Sequence, residues 1–149
     1  MEPVLDEQQL QAFLQDAFPQ VFEQYAELKV ERIGEGTVTL RMDTDSRHIR
    51  PGGTVSGPTL FALADVGGYA CVLSHIGGEA LAVTTSLTMN FMRKALPGPL
   101  EARCRILKLG KRLVVFDAEI SAPGSHDMVA HGSGTYAIPP RSVDEGRKG

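Results

Sequence analysis

From Leu60 to Leu73 every position is apolar or small except one, Asp65. A run of that length without Pro reads as a helix rather than a strand. A helix apolar on all sides is one that is buried on all sides. The stretch 56–76 is therefore expected as the central helix, with Ser56 as N-cap, Pro58 tolerated in the first turn and Gly77-Gly78 closing it. A membrane span is disfavoured, because the run falls short of ~20 residues and a mid-bilayer carboxylate costs roughly 2.5–3.5 kcal/mol.

Upstream, Leu10, Phe13, Leu14, Ala17, Val21, Phe22 and Tyr25 keep helical spacing opposite Gln11, Gln15 and Gln20. Asp6 followed by Gln9 has the capping-box pattern, and Pro19 is expected to stop this covering helix near residue 17, a short turn following. Segments 27–33 and 37–42 read as strands joined by Gly34-Glu35-Gly36, with Val38, Leu40 and Met42 alternating as in a half-buried antiparallel strand. The polar stretch 44–55 reads as a long loop, and loops of about twelve structureless residues are uncommon and often functional. In strand 80–92 one face reads Leu81, Val83, Thr85, Leu87, Met89, Phe91, and the other Ala82, Thr84, Ser86, Thr88, Asn90. Three further strands are expected at 100–109, 112–121 and 128–138, separated by Gly- and Pro-containing turns. Pro139-Pro140 then closes a single domain spanning 1–140, and the charged tail 141–149 is expected to be disordered. Short links between the late strands favour antiparallel pairing. One helix apolar all round plus one sheet is solved by wrapping the sheet around the helix, an α+β architecture.

Composition adds limits rather than detail. At 149 residues, 42% apolar and 22% charged, the chain is an ordinary globular protein. The net charge of −3 and scattered basic residues give no reason to expect nucleic acid or a membrane surface as partner. Cys71 and Cys104 lack metal-ligand spacing and are expected as buried thiols. No metal site is expected. The N-terminus has no signal-peptide pattern, so a cytoplasmic location is the default.

Asp65 stands out chemically. An unpaired carboxylate in an apolar helix must find donors or shift its pKa. It is either a structural acid satisfied by neighbours or a carboxylate placed at a cleft that admits water and substrate. Gly57 lies where the first N–H groups of a helix lack intrahelical partners and carry the positive end of the dipole. It either enables the loop-to-helix turn or leaves a bare N–H for a developing oxyanion. Lys108, Lys111 and Arg112 flank a turn, and Arg93-Lys94 ends the preceding strand; they are hairpin-tip charges or contacts for phosphates. His75 ends the central helix, where a protonated ring suits the dipole. His48 reads as a solvated loop residue, and His126 and His131 have no partner at a telling spacing.

The Gly-rich entry PGGTVSGPTLFALAD, the acid eight residues after Gly57, the strand TTSLTMNFMR, the KLGKRL turn and the GTYAI ending together resemble the hotdog-fold thioesterase superfamily. The resemblance spans 28–138 and is nearest the phenylacetyl-CoA and 4-hydroxybenzoyl-CoA thioesterase-like (PaaI-like) branch. It implies an antiparallel sheet wrapped around the central helix, paired subunits with active sites between them, and hydrolysis of an acyl-CoA to a carboxylic acid and free thiol. Coenzyme A enters as part of the substrate, and no separate cofactor is implied. By the same resemblance Asp65 is general base or nucleophile, Gly57 an oxyanion donor, Thr84 a hydroxyl near the water, and Arg50 the polar group before the helix. Ser56, Tyr69, Lys108, Lys111 and Arg112 are candidate substrate contacts. The chain departs from the branch in having Ser56-Gly57-Pro58 where His-Gly-Gly is often found, and Arg50 where Asn, Gln or His is usual. Alternatives are a hotdog dehydratase using His48 and a non-catalytic acyl-CoA or small-ligand binder.

Spacing sharpens the expectation. Gly57 and Asp65 are eight residues apart, so on one helix ~12 Å separates them, whereas reacting groups must come within ~3–3.5 Å of their targets. If both act on one carbonyl, Gly57 of one subunit must meet Asp65 of another. A two-fold homodimer, alone or in a dimer of dimers, would supply that twice over.

Overall fold

The computed structural model describes residues 1–24, 28–78 and 82–140. The strands β1 (Leu28–Gly34), β2 (Thr37–Asp43), β3 (Val83–Phe91), β4 (Pro99–Leu109), β5 (Leu113–Ser121) and β6 (Ala130–Ala137) form one antiparallel sheet. Its spatial order is β1-β2-β4-β5-β6-β3. Helix α1 (Glu7–Ala17) is followed by α2 (Pro19–Gln24), and α3 (Gly57–Ile76) packs along the inner face of the sheet. The tail 141–149, expected to be disordered, and Tyr25, placed on the first helical stripe, lie outside the described residues.

Helix α3 begins at Ser56, whose hydroxyl caps the Thr59 N–H, and ends at Gly77. Its length and hydropathy would suit a membrane span, yet 72% of its most apolar window is buried inside the protein. Close approach to the sheet depends on small residues. A Cβ on Gly68 would fall on the Phe116 ring, and one on Gly67 on the Cys104 sulfur. Leu40, Ala102, Ala118 and Ile120 complete the inner face of the sheet.

The capping box of α1 forms as its sequence suggests, Asp6 accepting from Gln9 N–H and Gln9 from Asp6 N–H. The short turn expected after it is instead α2, because Pro19 stands in the first turn of a new helix, where its missing N–H costs nothing. Phe18 makes the break, with φ −131° and ψ 62°. Helix α1 also guards a sheet edge. Gln11 accepts from Val30 N–H at 2.7 Å and donates to Leu28 C=O at 3.2 Å, and Glu7 accepts from Ile33 N–H at 3.1 Å. Three backbone groups of β1 are thereby covered. Strand β3, at the other edge, has no such cover among the described residues.

Three further expectations change. The 44–55 stretch is not structureless. Asp45 caps a 3₁₀ turn at Ser46–His48, and Ile49 bridges to Val55. Within that stretch, and as part of the same change, His48 is not solvated but 3% exposed, its Nδ1 accepting from Asp45 N–H at 3.0 Å. His75 accepts from Gly36 N–H at Nε2, 2.8 Å away, and its Nδ1 sits 2.8 Å from Cys71 C=O. A ring nitrogen that accepts carries no proton. His75 is thus a neutral strut between α3 and the β1–β2 turn, not a cation on the helix dipole.

The third change bears on the site. A bulge at Thr85 shifts the β3 register between Thr84 and Ser86, and a one-residue insertion flips the faces on either side of it. Thr84 pairs with Tyr136, Leu87 with Gly134 and Met89 with Gly132, so all three share the helix-facing side. Strict alternation puts Thr84 opposite Leu87 and Met89.

Candidate active site

Asp65 stands midway along α3 on the side facing β6 and the start of β3. Its Oδ1 accepts from Thr84 Oγ1 at 2.7 Å and from the Tyr136 hydroxyl at 2.9 Å. The same hydroxyl lies 2.7 Å from the Asp65 carbonyl oxygen, tying side chain and helix backbone to one point. Burial and the Asp65 charge both push the Tyr136 phenol well above its usual range, which keeps it a donor. No donor is paired with Oδ2 among the described residues. The carboxylate is therefore half-satisfied, with one oxygen pinned and the other left to water or substrate.

That carboxylate opens onto a cleft of about 360 Å³ whose other walls are Phe18, Val21, Val66, Tyr69, Ala82 and Val83. Tyr69 is buried, its ring edge-on to Phe18 at 5.0 Å and tilted against Tyr136 at 5.9 Å. An apolar cleft with a few convergent polar groups is the usual form of a small-molecule site.

Gly57 belongs to a second cleft, of about 420 Å³, which it shares with Arg50, Leu60, Phe91, Arg93 and Lys94. Its φ is not positive, and a Cβ there would meet the Phe91 ring only at ordinary van der Waals distance, 3.7 Å. The turn into the helix therefore does not require glycine. No acceptor is paired with its N–H among the described residues. Ser56 spends its hydroxyl on its own helix, capping Thr59 N–H and touching Thr59 Oγ1 at 2.8 Å. Arg50 lines the Gly57 cleft and forms no ion pair with Asp65.

The basic groups also separate. Arg93 and Lys94 follow the Phe91 end of β3, whereas Lys111 and Arg112 lie next to Leu113, which pairs across Ala137 with Val83 at the opposite end. Eight residues of strand divide those ends, or about 26 Å. His48 lines neither cleft. His131 contacts Asp117 at 3.2 Å on the outer face of the sheet, where Arg105 also holds Asp117 at 2.9 Å. Burial pushes the Cys71 thiol up to about 12 and the Cys104 thiol well above its ordinary value, leaving both as packed thiols. No cluster of metal-ligating side chains occurs among the described residues.

Two residues of the Asp65 cleft escape sequence reasoning, Tyr136 and Phe18. Both look like ordinary core aromatics. The available signal for Tyr136 is its place two residues after Gly134 and four after Gly132, a strand face too bare to fill itself.

Residues 52–129 match the model of the thioesterase superfamily. A candidate esterase of Pseudomonas aeruginosa is 36% identical over 104 residues, covering 68% of this chain and 74% of its own. The 1,4-dihydroxy-2-naphthoyl-CoA hydrolase of Escherichia coli K12 is 32% identical over 100 residues, 64% of this chain and 71% of that one. The crystal structure of a candidate thioesterase from Silicibacter sp. TM1040 superposes with a TM-score of 0.84 at 47% identity, covering 94% of this chain and 96% of that one. A variant of the phenylacetic acid degradation protein PaaI from Thermus thermophilus gives 0.70 at 26% identity, covering 80% and 99%. A six-stranded antiparallel sheet packed on one buried helix, the match of the family model, and relatives of this identity place the chain in the thioesterase superfamily, with its hotdog fold.

Proposed function

We propose that the protein is an acyl-CoA thioesterase that works as a homodimer, with Asp65 as its acidic catalytic group. One observation carries the reading: Asp65 Oδ1 is held by Thr84 and Tyr136 while the carboxylate borders an apolar cleft. A purely structural acid gains nothing from an oxygen left open at a cleft.

Either route conserves atoms. In the first, water attacks the thioester carbonyl carbon, Oδ2 takes the water proton, and the C–S bond breaks to give a carboxylic acid and a thiol. In the second, Oδ2 attacks, the thiolate leaves, and water cleaves the mixed anhydride. Both pass through an oxyanion, and the Gly57 N–H at the positive end of α3 is suited to stabilise it.

The two clefts of one chain lie at different ends of β3, so a partner is needed to join them. Strand β3 is the uncovered sheet edge among the described residues, and its end residues Val83 and Phe91 are 56% and 54% exposed. Antiparallel pairing of β3 with its own copy about a two-fold axis places the Phe91 end of each strand beside the Val83 end of the other. That brings Gly57, Arg50, Arg93 and Lys94 of one protomer toward Asp65 and the Lys111–Arg112 turn of its partner. The assembled site has an apolar end for the acyl group and a basic end for phosphates, as a coenzyme A thioester demands. The Escherichia coli relative named as a CoA hydrolase supports that choice of thiol.

The test is a thiol-release assay across aryl- and alkyl-CoA thioesters with wild type and Asp65→Asn in parallel. Wild type should turn over, and Asp65→Asn should lose at least a hundredfold in kcat with its fold intact. Full turnover by Asp65→Asn overturns the assignment. Saturable binding of acyl-CoA by wild type without thiol release would make the protein a binder instead.

A further inference from the structure

The Asp65 cleft has a floor drawn from outside the span that the family model matches. The family model matches residues 52–129, yet Phe18 and Val21, which line the cleft, stand well before that span. Phe18 is the break between α1 and α2, and Val21 belongs to α2. Phe18 ends α1 with its N–H on Leu14 C=O at 2.9 Å, and Val21 N–H returns to Phe18 C=O at 3.1 Å. Phe18 is thus held from both sides rather than swinging from a loose terminus.

Its position along α3 sets a depth. Asp65 and Tyr69 are one helical turn apart, about 6 Å along the axis. The Phe18 ring meets the Tyr69 ring edge-on at 5.0 Å. An acyl group whose carbonyl sits at Asp65 and whose tail runs along Val66 therefore reaches Phe18 after little more than one turn of helix. Among the described residues the walls on that path are apolar, with no charged group beyond Asp65 itself.

Resting on the thioesterase reading above, we infer that Phe18 is the specificity-determining residue that stops the acyl chain, so that the preferred substrates carry a compact apolar acyl group, a single ring or a short alkyl chain. Asp65 and Thr84 come from the span that the family model matches, and the length limit comes from the N-terminal helical pair. Each methylene that gains burial is worth about fourfold in kcat/KM.

The experiment is a kcat/KM profile over saturated acyl-CoAs from acetyl to palmitoyl, plus benzoyl- and phenylacetyl-CoA, for wild type, Phe18→Ala, Phe18→Leu and Phe18→Trp. Wild type should peak at compact groups. Phe18→Ala should move the optimum to longer chains, gaining about fourfold per added methylene relative to the wild-type optimum over the first few. Phe18→Leu, the variant least disturbing to the α1–α2 break, should shift in the same direction by less. Phe18→Trp should lose the longest wild-type substrates while keeping acetyl-CoA. Profiles that superimpose after normalisation, or a wild-type optimum at palmitoyl-CoA, would overturn the inference and leave the thioesterase reading standing. A wild type that cleaves none of the panel would instead remove the thioesterase reading, and the inference with it.

Discussion

At the scale of single residues, the asymmetry of the Asp65 carboxylate matters most. Two hydroxyls converge on Oδ1, at 2.7 and 2.9 Å, and fix the rotation of the group, with no donor paired to Oδ2 among the described residues. Tyr136 acts on Asp65 rather than on substrate, which makes it a positioning residue in the proposed mechanism. Removing its hydroxyl leaves the ring packing against Phe116 and Tyr69 in place. A hydrogen bond to a charged group is worth roughly 1.5–3 kcal/mol. Tyr136→Phe is accordingly expected to lower kcat by about ten- to a hundredfold, with KM changed less than threefold. A loss confined to KM would show that the hydroxyl serves binding instead. Gly57 invites a different substitution. Pro is favoured at the first position of a helix, and Ser56 already has the extended backbone that a residue before Pro prefers, φ −70° and ψ 149°. Gly57→Pro therefore deletes the N–H at a position whose preceding residue already suits it. Activity should fall by about 10²–10³-fold, the usual cost of one oxyanion donor, with the circular dichroism spectrum unchanged.

At the scale of elements, the sheet comes within reach of α3 because Gly67 and Gly68 present no side chain. A methyl on Gly68 would overlap the Phe116 ring, a buried and inflexible neighbour. Gly68→Ala is expected to cost about 1–3 kcal/mol, as overpacking does, lowering the thermal midpoint. An unchanged midpoint would mean that helix and sheet can part freely. These elements are largely legible from the chain alone. A buried helix declares itself by having no polar face, and strands β2 to β6 by alternation bounded with Gly and Pro. Asp65 is legible for the same reason, as the one charge in an apolar run. What escapes is set by pairing between distant segments. The bulge at Thr85 leaves no mark on a Thr-Thr-Ser run, so the side of β3 on which Thr84 stands cannot be read from alternation. Tyr136 meets Asp65 only because β6 pairs with β3. His48 looks solvated because it is polar and lies in a loop, and only the capped turn around it shows how it is buried. Pro19 reads as a stop when it is equally a start.

At the scale of the whole molecule, burial of the thiols gives stability a definite alkaline limit. Folding raises Cys71 to about 12 and Cys104 well above its ordinary value, against ~8.5 in an unfolded chain. A pKa raised on folding means that the protonated form is favoured in the native state. The contribution is therefore complete below ~8.5 and falls as pH rises from there through the folded value, by about 1.4 kcal/mol per unit for each such group. Denaturant midpoints should decline steadily between about pH 9 and 11, and a thiol reagent should modify the protein only as it unfolds. A midpoint flat across that range would contradict the burial of both cysteines.

The same scale decides whether the two clefts form one site. On a single α3 the Gly57 N–H and the Asp65 carboxylate stand ~12 Å apart, too far to serve one carbonyl carbon. Of the two sheet edges, β1 has three of its backbone groups taken up by Gln11 and Glu7, while β3 keeps its edge open among the described residues, a state proteins seldom leave uncovered. In the proposed dimer, pairing two β3 strands would resolve both facts at once and make each site a joint product of two chains. Asp65→Asn then damages one half of a site and Gly57→Pro the other. A heterodimer of the two carries one site with both defects and one with neither. Mixing the two inactive homodimers under conditions that exchange subunits should restore up to a quarter of wild-type activity per protomer, since random reassortment makes half the dimers mixed and each mixed dimer has one intact site of two. Subunit exchange is checked independently by energy transfer between labelled protomers. If exchange is complete and activity stays at the background of the parents, Gly57 and Asp65 act within one chain or not together, and the two-chain site is wrong.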